Sequence, residues 1–179
     1  MQSINQKIEL PFLSNCTIYI KREDLIHPIV SGNKFRKLKY NIVQAKVENK
    51  TQLLTFGGAY SNHIAAVAYA AKENGFRSIG IIRGDELKSR ISDNPTLRFA
   101  QKCGMEFDFV SREVYRLKEE RTFVENLKQK FGDFYLIPEG GTNELAIKGC
   151  EEILTQDDEI FNYICCSVGT GGTISGLIN

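Results

Sequence analysis

A chain of 179 residues, 42% hydrophobic and 25% charged, can bury a sizeable core and is too apolar to stay disordered. Its formal net charge is +1 with acids and bases mixed along the sequence, which leaves no basic stripe for nucleic acid and no charge run for an anionic membrane. The expected partner is a small molecule. Residues Met1 to Leu10 lack the apolar centre of a signal peptide and no run is long enough to span a bilayer, so the expected compartment is the cytoplasm. Five cysteines, at 16, 103, 150, 165 and 166, have no metal-ligand spacing and read as reduced thiols.

In chain order, residues 17–24 (TIYIKRED) read as a strand, followed by a turn over HPIVSGN and a helix from Lys34 to Val47. From Thr51 onward short apolar runs alternate with helical patterns. Strands are expected at 52–56, 78–82, 105–110, 134–137 and 161–168, and helices at 61–74, 94–103, 114–130 and 144–155. Such alternation predicts an α/β fold, a parallel sheet covered by helices. The 61–74 stretch is apolar nearly all round, capped by Ser61 and followed by Gly75, as suits a buried helix with a polar start. Within 114–130, Val114, Leu117, Val124 and Leu127 recur at helical spacing against charged residues, which predicts one surface helix. The run 161–168 is apolar enough for a central strand, with Cys165 and Cys166 in its core. Residues 1–33 and 135–179 are assigned to one larger lobe and 34–134 to a smaller α/β lobe.

Three segments carry groups suited to chemistry. In the helix that opens at Ser31-Gly32-Asn33-Lys34, Phe35, Leu38, Ile42 and Ala45 make the apolar stripe. At about 100° per residue Lys34 lies about 60° from the centre of that stripe, and Arg36 and Lys37 roughly 120° or more. An inward amine at a helix N-terminus has a lowered pKa and attacks an aldehyde more readily; a lysine that merely snorkels is the alternative. Next, Gly57-Gly58-Ala59-Tyr60-Ser61-Asn62-His63 sets a hydroxyl, an amide and an imidazole beside the free N–H groups of a helix start. That suits a carboxylate or phenolate, or else a serine cap with two exposed polar residues. Last, Gly169-Thr170-Gly171-Gly172-Thr173 lies between the 161–168 run and a helix start near Ile174. Its glycines and hydroxyls suit a phosphate, although no lysine follows as in a P-loop and Ile174 stands where a dinucleotide motif needs its third glycine. A structural turn is the alternative.

Taken together and in this order, KREDL (21–25) with SGNKFRKL (31–38), GGAYSNH (57–63), IPEGGTN (137–143) and SVGTGGTISG (167–176) resemble signature segments of one family. It is the 1-aminocyclopropane-1-carboxylate deaminase / D-cysteine desulfhydrase family, of the two-lobed tryptophan-synthase-β-like (fold type II) pyridoxal 5'-phosphate (PLP) enzymes. The resemblance covers nearly the whole chain. It implies PLP as cofactor and a small amino acid, of the 1-aminocyclopropane-1-carboxylate or D-cysteine type, as substrate. The products would be ammonia and a 2-oxo acid, with hydrogen sulfide from D-cysteine.

The resemblance also implies roles for single residues. Lys34 would carry the cofactor aldehyde and later move the α-proton, Asn62 would bond the pyridine 3'-oxygen, and Ser61 and His63 would border the substrate carboxylate. Ser61 would be a nucleophile or proton relay, while Gly169, Thr170, Gly171, Gly172 and Thr173 would hold the phosphate. Histidine rather than glutamine at 63 leans toward the desulfhydrase-like members, and His27, beside Pro28, reads as structural. The family's chains continue past this loop to groups that partner the pyridine nitrogen. Residues 1–179 are therefore expected to be incomplete and inert alone, and the whole protein to be a homodimer. Serine/threonine dehydratase or cysteine synthase chemistry on the same scaffold stays open, as does a non-catalytic module that holds a phosphorylated ligand at 169–173.

Overall fold

The computed structural model describes residues 2–11 and 16–179. It begins with β1 (Asn5–Ile8) and β2 (Ile18–Lys21), an antiparallel pair in which Asn5 faces Lys21, and helix α1 (Asn33–Val47). Then come β3 (Gln52–Gly58), α2 (Asn62–Glu73), β4 (Arg77–Arg83), α3 (Pro95–Lys102) and β5 (Met105–Val110). The rest comprises α4 (Arg112–Tyr115), α5 (Arg121–Phe131), β6 (Tyr135–Ile137), α6 (Glu144–Glu151) and α7 (Gly172–Ile178). The four later strands form one parallel sheet in the order β5-β4-β3-β6, so the α/β expectation holds.

Strands β3 and β4 are apolar without alternation because both faces of the sheet are covered. Leu53 faces a cluster with Leu38, Ile64, Val67 and Leu97 from α1, α2 and α3. Its neighbour Leu54 faces the other way, onto Phe56, Tyr115 and Leu127 beside α4 and α5. Each such side chain contributes about 1.5–3 kcal/mol by leaving water. From β3 the chain steps outward to β4 and β5, then returns to place β6 on the far side of β3. That reversal opens a crevice at the carboxyl ends of β3 and β6, the usual ligand position in such sheets.

Helix α1 is buried on two faces. One is the expected stripe toward α2. The other meets α6 so closely that a Cβ at Gly149 would overlap the Arg36 carbonyl oxygen. Arg36 and Lys37, expected to point away from the core, are therefore each only 2% exposed. Arg36 tolerates this because Glu23 of the KREDL segment takes its Nε and a terminal nitrogen at 2.9 Å each.

Other expectations change too. The 114–130 helix is two, α4 and α5, with turns from 116 to 119 between them, because Tyr115 and not Val114 or Leu117 faces the core. Residues 161–168 form no strand: no neighbour pairs with them among the described residues. Tyr163, Ile164 and Val168 are exposed, as is Cys165, and Cys166 is half-buried, so neither cysteine is strand core. Helix α7 starts at Gly172, two residues before Ile174, and α6 stops at Glu151.

Candidate active site

Two loops rim the crevice. Residues 57–61 leave β3 in a tight turn, with Ser61 N–H on the Gly58 carbonyl at 3.0 Å, and Ser61 then caps α2 by accepting from Ile64 N–H at 3.4 Å. As the acceptor in that cap, the serine oxygen keeps its own proton free to donate. Asn62 is exposed and His63 buried. After β6, the Glu139–Asn143 loop is tied to α1 by a reciprocal amide pair: Asn41 donates to Asn143 Oδ1 at 3.1 Å and Asn143 to Asn41 Oδ1 at 2.7 Å. Tyr135 Oη adds a third bond to Asn41.

Lys34 stands where these loops meet. Its Nζ donates to the Gly140 carbonyl at 3.2 Å. Burial first, then the charge of Lys37, push the amine down to about 8 against an upward pull from Cys150. The side chain lines a cleft of about 630 Å³ with Ser61, Asn62, His63 and Glu139. It also lines an adjoining hollow of about 200 Å³ bounded by Lys37 and the 169–171 loop. The fold thus joins the lysine, the Ser61–His63 segment and the glycine loop, which are far apart in sequence.

Lys37 is the residue that sequence reasoning missed. Its Nζ sits among Thr142 Oγ1 at 3.0 Å, the Gly140 carbonyl at 3.4 Å and Thr170 Oγ1 at 3.5 Å. Every one of these partners is neutral, and burial depresses the ammonium pKa. A buried cation with no acid beside it is costly and fits a site for an anion. The loop suits the same ligand. Gly171 takes φ +84 with open space where a Cβ would be, and a Cβ at Gly172 would stand 3.0 Å from Lys37 Nζ. Thr173 Oγ1 accepts from Asn33 at 2.9 Å, which fixes the loop to the start of α1. The one sequence signal for Lys37 was its i, i+4 spacing from Asn41, a second polar row that also turned out to be buried.

The pyridoxal-phosphate dependent enzyme family matches this sequence over residues 4–179. The chain belongs to that family. A Thermotoga maritima protein named after 1-aminocyclopropane-1-carboxylate deaminase is 37% identical, over 89% of this chain and 52% of its own length. The bifunctional D-cysteine desulfhydrase/1-aminocyclopropane-1-carboxylate deaminase of Arabidopsis thaliana is 31% identical, over 94% of this chain and 46% of its own. A crystal structure of an ACC deaminase homologue superposes with TM-score 0.80 at 31% identity, over 99% of this chain and 55% of the other. The chain spans about half the length of the curated relatives it matches.

Family membership carries pyridoxal phosphate as the cofactor, and the residues present fit it. An amine lowered to about 8 is suited to an aldehyde. Beside it lie an uncompensated ammonium and a glycine loop suited to a phosphate. The cleft that continues past Ser61 has room for a small amino acid. Among the described residues, no helix is long and apolar enough to cross a membrane.

Proposed function

We propose that this chain forms the lysine- and phosphate-binding part of a PLP-dependent deaminase or desulfhydrase for a small amino acid of the 1-aminocyclopropane-1-carboxylate or D-cysteine type, yielding ammonia and a 2-oxo acid. The observation that carries this reading is the position of Lys34, shared by the Ser61–His63 cleft and the Lys37–glycine-loop hollow. Bound across that junction, the cofactor would supply a ring that withdraws electrons from the substrate's α-carbon. The two names among the relatives support the substrate class.

The chain's own groups divide the remaining work. Lys34 holds the cofactor aldehyde and, as an amine that loses its proton near pH 8, carries a proton to or from the substrate. Lys37, Thr170 and the backbone of 169–173 would hold the phosphate. Ser61 has a free proton to donate to the substrate, and exposed Asn62 would be the partner of the cofactor's 3'-oxygen. The cytoplasm and a homodimer are the proposed setting. Of the lobes proposed from sequence, 1–33 with 135–179 against 34–134, the second boundary is better drawn after β6, because that strand shares the sheet of β3 to β5.

The test is direct. Titration with PLP should give the yellow absorbance of a cofactor bonded to a lysine, and borohydride followed by peptide mapping should label Lys34. Label on Lys37 or Lys39 would refute the assignment, and a phosphate-only binder would stay colourless.

A further inference from the structure

His63 is 2% exposed in the first turn of α2, and its Nε2 lies 2.8 Å from Thr55 Oγ1. The same hydroxyl donates to the Ile137 carbonyl at 2.8 Å, across the rung where Thr55 of β3 faces Ile137 of β6. A hydroxyl has one proton. Since Thr55 gives its proton to Ile137, its oxygen must accept from the ring, which fixes the Nε2–H tautomer. The other tautomer would give up the Thr55 bond to the Ile137 carbonyl and leave Nδ1–H with only the Pro138 carbonyl, which already accepts from Gly141 N–H. Nδ1 is therefore a bare lone pair, buried and without a hydrogen-bond partner among the described residues. The nearby Pro138 carbonyl has no proton to offer, and it already accepts from Gly141 N–H at 2.8 Å.

The free edge of the ring faces the groups that surround Lys34. A Cβ at Gly141 would stand 3.0 Å from its Cε1, 3.4 Å from its Nδ1 and 3.7 Å from the Lys37 Cβ. Burial, then the charges of Lys34 and Lys37, hold the imidazole down to about 3. At any working pH the ring is neutral. It has no proton on Nδ1 to give a carboxylate and is too weak a base to take one from an ammonium. What it offers is an acceptor.

We propose that Thr55 and His63 are a positioning pair for the Lys34 amine: the threonine fixes the tautomer, and Nδ1 receives a Lys34 N–H in exchange with the Gly140 carbonyl, in the cofactor-free protein as well as when a substrate amine has displaced the lysine. The inference rests on reading Lys34 as the cofactor lysine, which must stand free while a substrate amine holds its place. On the Gly140 carbonyl the free amine competes with Lys37 for one oxygen, and a second neutral acceptor relieves that competition. His63 then serves the amine side of the reaction, and the substrate carboxylate falls to Ser61. The other titratable groups around Lys34 are Lys37 on its own helix, Cys150 on α6 and Glu139 on the cleft rim.

Two readouts test the pair without turnover. In cofactor-free protein labelled with 15N-histidine, where only His27 and His63 contribute, the His63 ring should show a protonated Nε2 and a bare Nδ1 from about pH 5 to about pH 8. Thr55→Ser should keep that pattern and Thr55→Val should lose it. Separately, the pH midpoint for acylation of Lys34 should fall by about one unit in His63→Leu, because a neutral acceptor stabilises the ammonium, and should stay at the wild-type value in His63→Gln. A proton on Nδ1 in the wild-type protein, or a midpoint that His63→Leu leaves in place, would overturn the inference. Because neither measurement uses a substrate, failure of the deaminase reading and failure of this one are told apart.

Discussion

Lys34 and Lys37, one turn apart on α1, donate to the same carbonyl oxygen, that of Gly140, at 3.2 and 3.4 Å. Two buried ammonium groups on one acceptor repel each other, and the charge of Lys37 is one of the two causes that lower the Lys34 amine. Replacing Lys37 with methionine keeps the stem and removes the charge. The Lys34 pKa should then rise above its present value of about 8. The pH midpoint for acylation of Lys34 in cofactor-free protein checks the sign.

The same variant separates the two ends of the cofactor. If Lys37 holds the phosphate, Lys37→Met should weaken PLP about tenfold or more, the cost of one charge-assisted hydrogen bond, and leave pyridoxal nearly unaffected. Gly171→Val should act in the same direction for a different reason. It places a branched side chain at φ +84, in the open space where the phosphate would approach the backbone. Equal losses of PLP and pyridoxal in both variants would move the phosphate elsewhere.

Ser61 is the test of chemistry as distinct from binding. Its cap bond to Ile64 is long, 3.4 Å, so Ser61→Ala should cost at most about 1 kcal/mol of stability. In protein that turns over D-cysteine or 1-aminocyclopropane-1-carboxylate, the variant should keep the bound-cofactor absorbance and lose about 10²-fold or more in kcat. Asn62→Ala should instead shift the cofactor's absorbance or its pH dependence. Full turnover in Ser61→Ala would remove the serine from the mechanism.

Sequence patterns revealed those parts of the fold that depend on apolar periodicity. β3, β4, β5 and α2 lie where alternation put them because their burial is apolar, and the Ser61 cap and Gly75 stop are local chemistry. Patterns fail where polar groups are buried. The α6 side of α1 holds Arg36, Lys37 and Asn41, each hydrogen-bonded to a partner outside the helix, Glu23, Thr142 and Asn143 respectively. A hydrophobic stripe cannot register such a face, so the helical angles place Lys37 away from the core. The α4–α5 break fails for the opposite reason: the helical period runs on through turns that only the burial of Tyr115 explains. For 161–168, apolar content alone does not make a strand, which also needs a neighbour to bond.

The Arg36–Glu23 pair predicts an acid limit. Burial raises the Glu23 carboxyl, but hydrogen bonds from Arg36 and Ser3 and the charge of Arg36 outweigh it and hold it below its ordinary 4.5. A carboxyl lowered in the folded state contributes stability that is present above the unfolded value and lost as pH falls through the folded one. The wild-type protein should thus lose stability below about pH 4.5, and Glu23→Gln should be less stable at pH 7 with a flatter acid limb. Arg36→Ala leaves the half-buried Glu23 carboxylate with only its Ser3 hydrogen bond and should cost about 3–5 kcal/mol. Urea unfolding at several pH values checks both.

The last prediction concerns the surface near residue 163. Tyr163 is 89% exposed and Val168 64%, with Ile164 also open. Tyr163 and Ile164 border a hollow of about 430 Å³ whose other wall includes Ile18, Tyr19 and Cys16. Isolated apolar side chains on a surface are ordinary, but a contiguous extended run of them with unbonded backbone beside it is a template for association. Residues 1–179 in isolation should bind a hydrophobic dye and self-associate as concentration rises. Ile164→Lys places a charge in the middle of the run without touching Lys34, Ser61 or the glycine loop, so it should reduce both effects and leave PLP binding as it was. Light scattering and dye fluorescence of the two proteins, with the PLP titration run beside them, decide the matter. A variant that associates as strongly as the wild type would show that this run is not the adhesive surface.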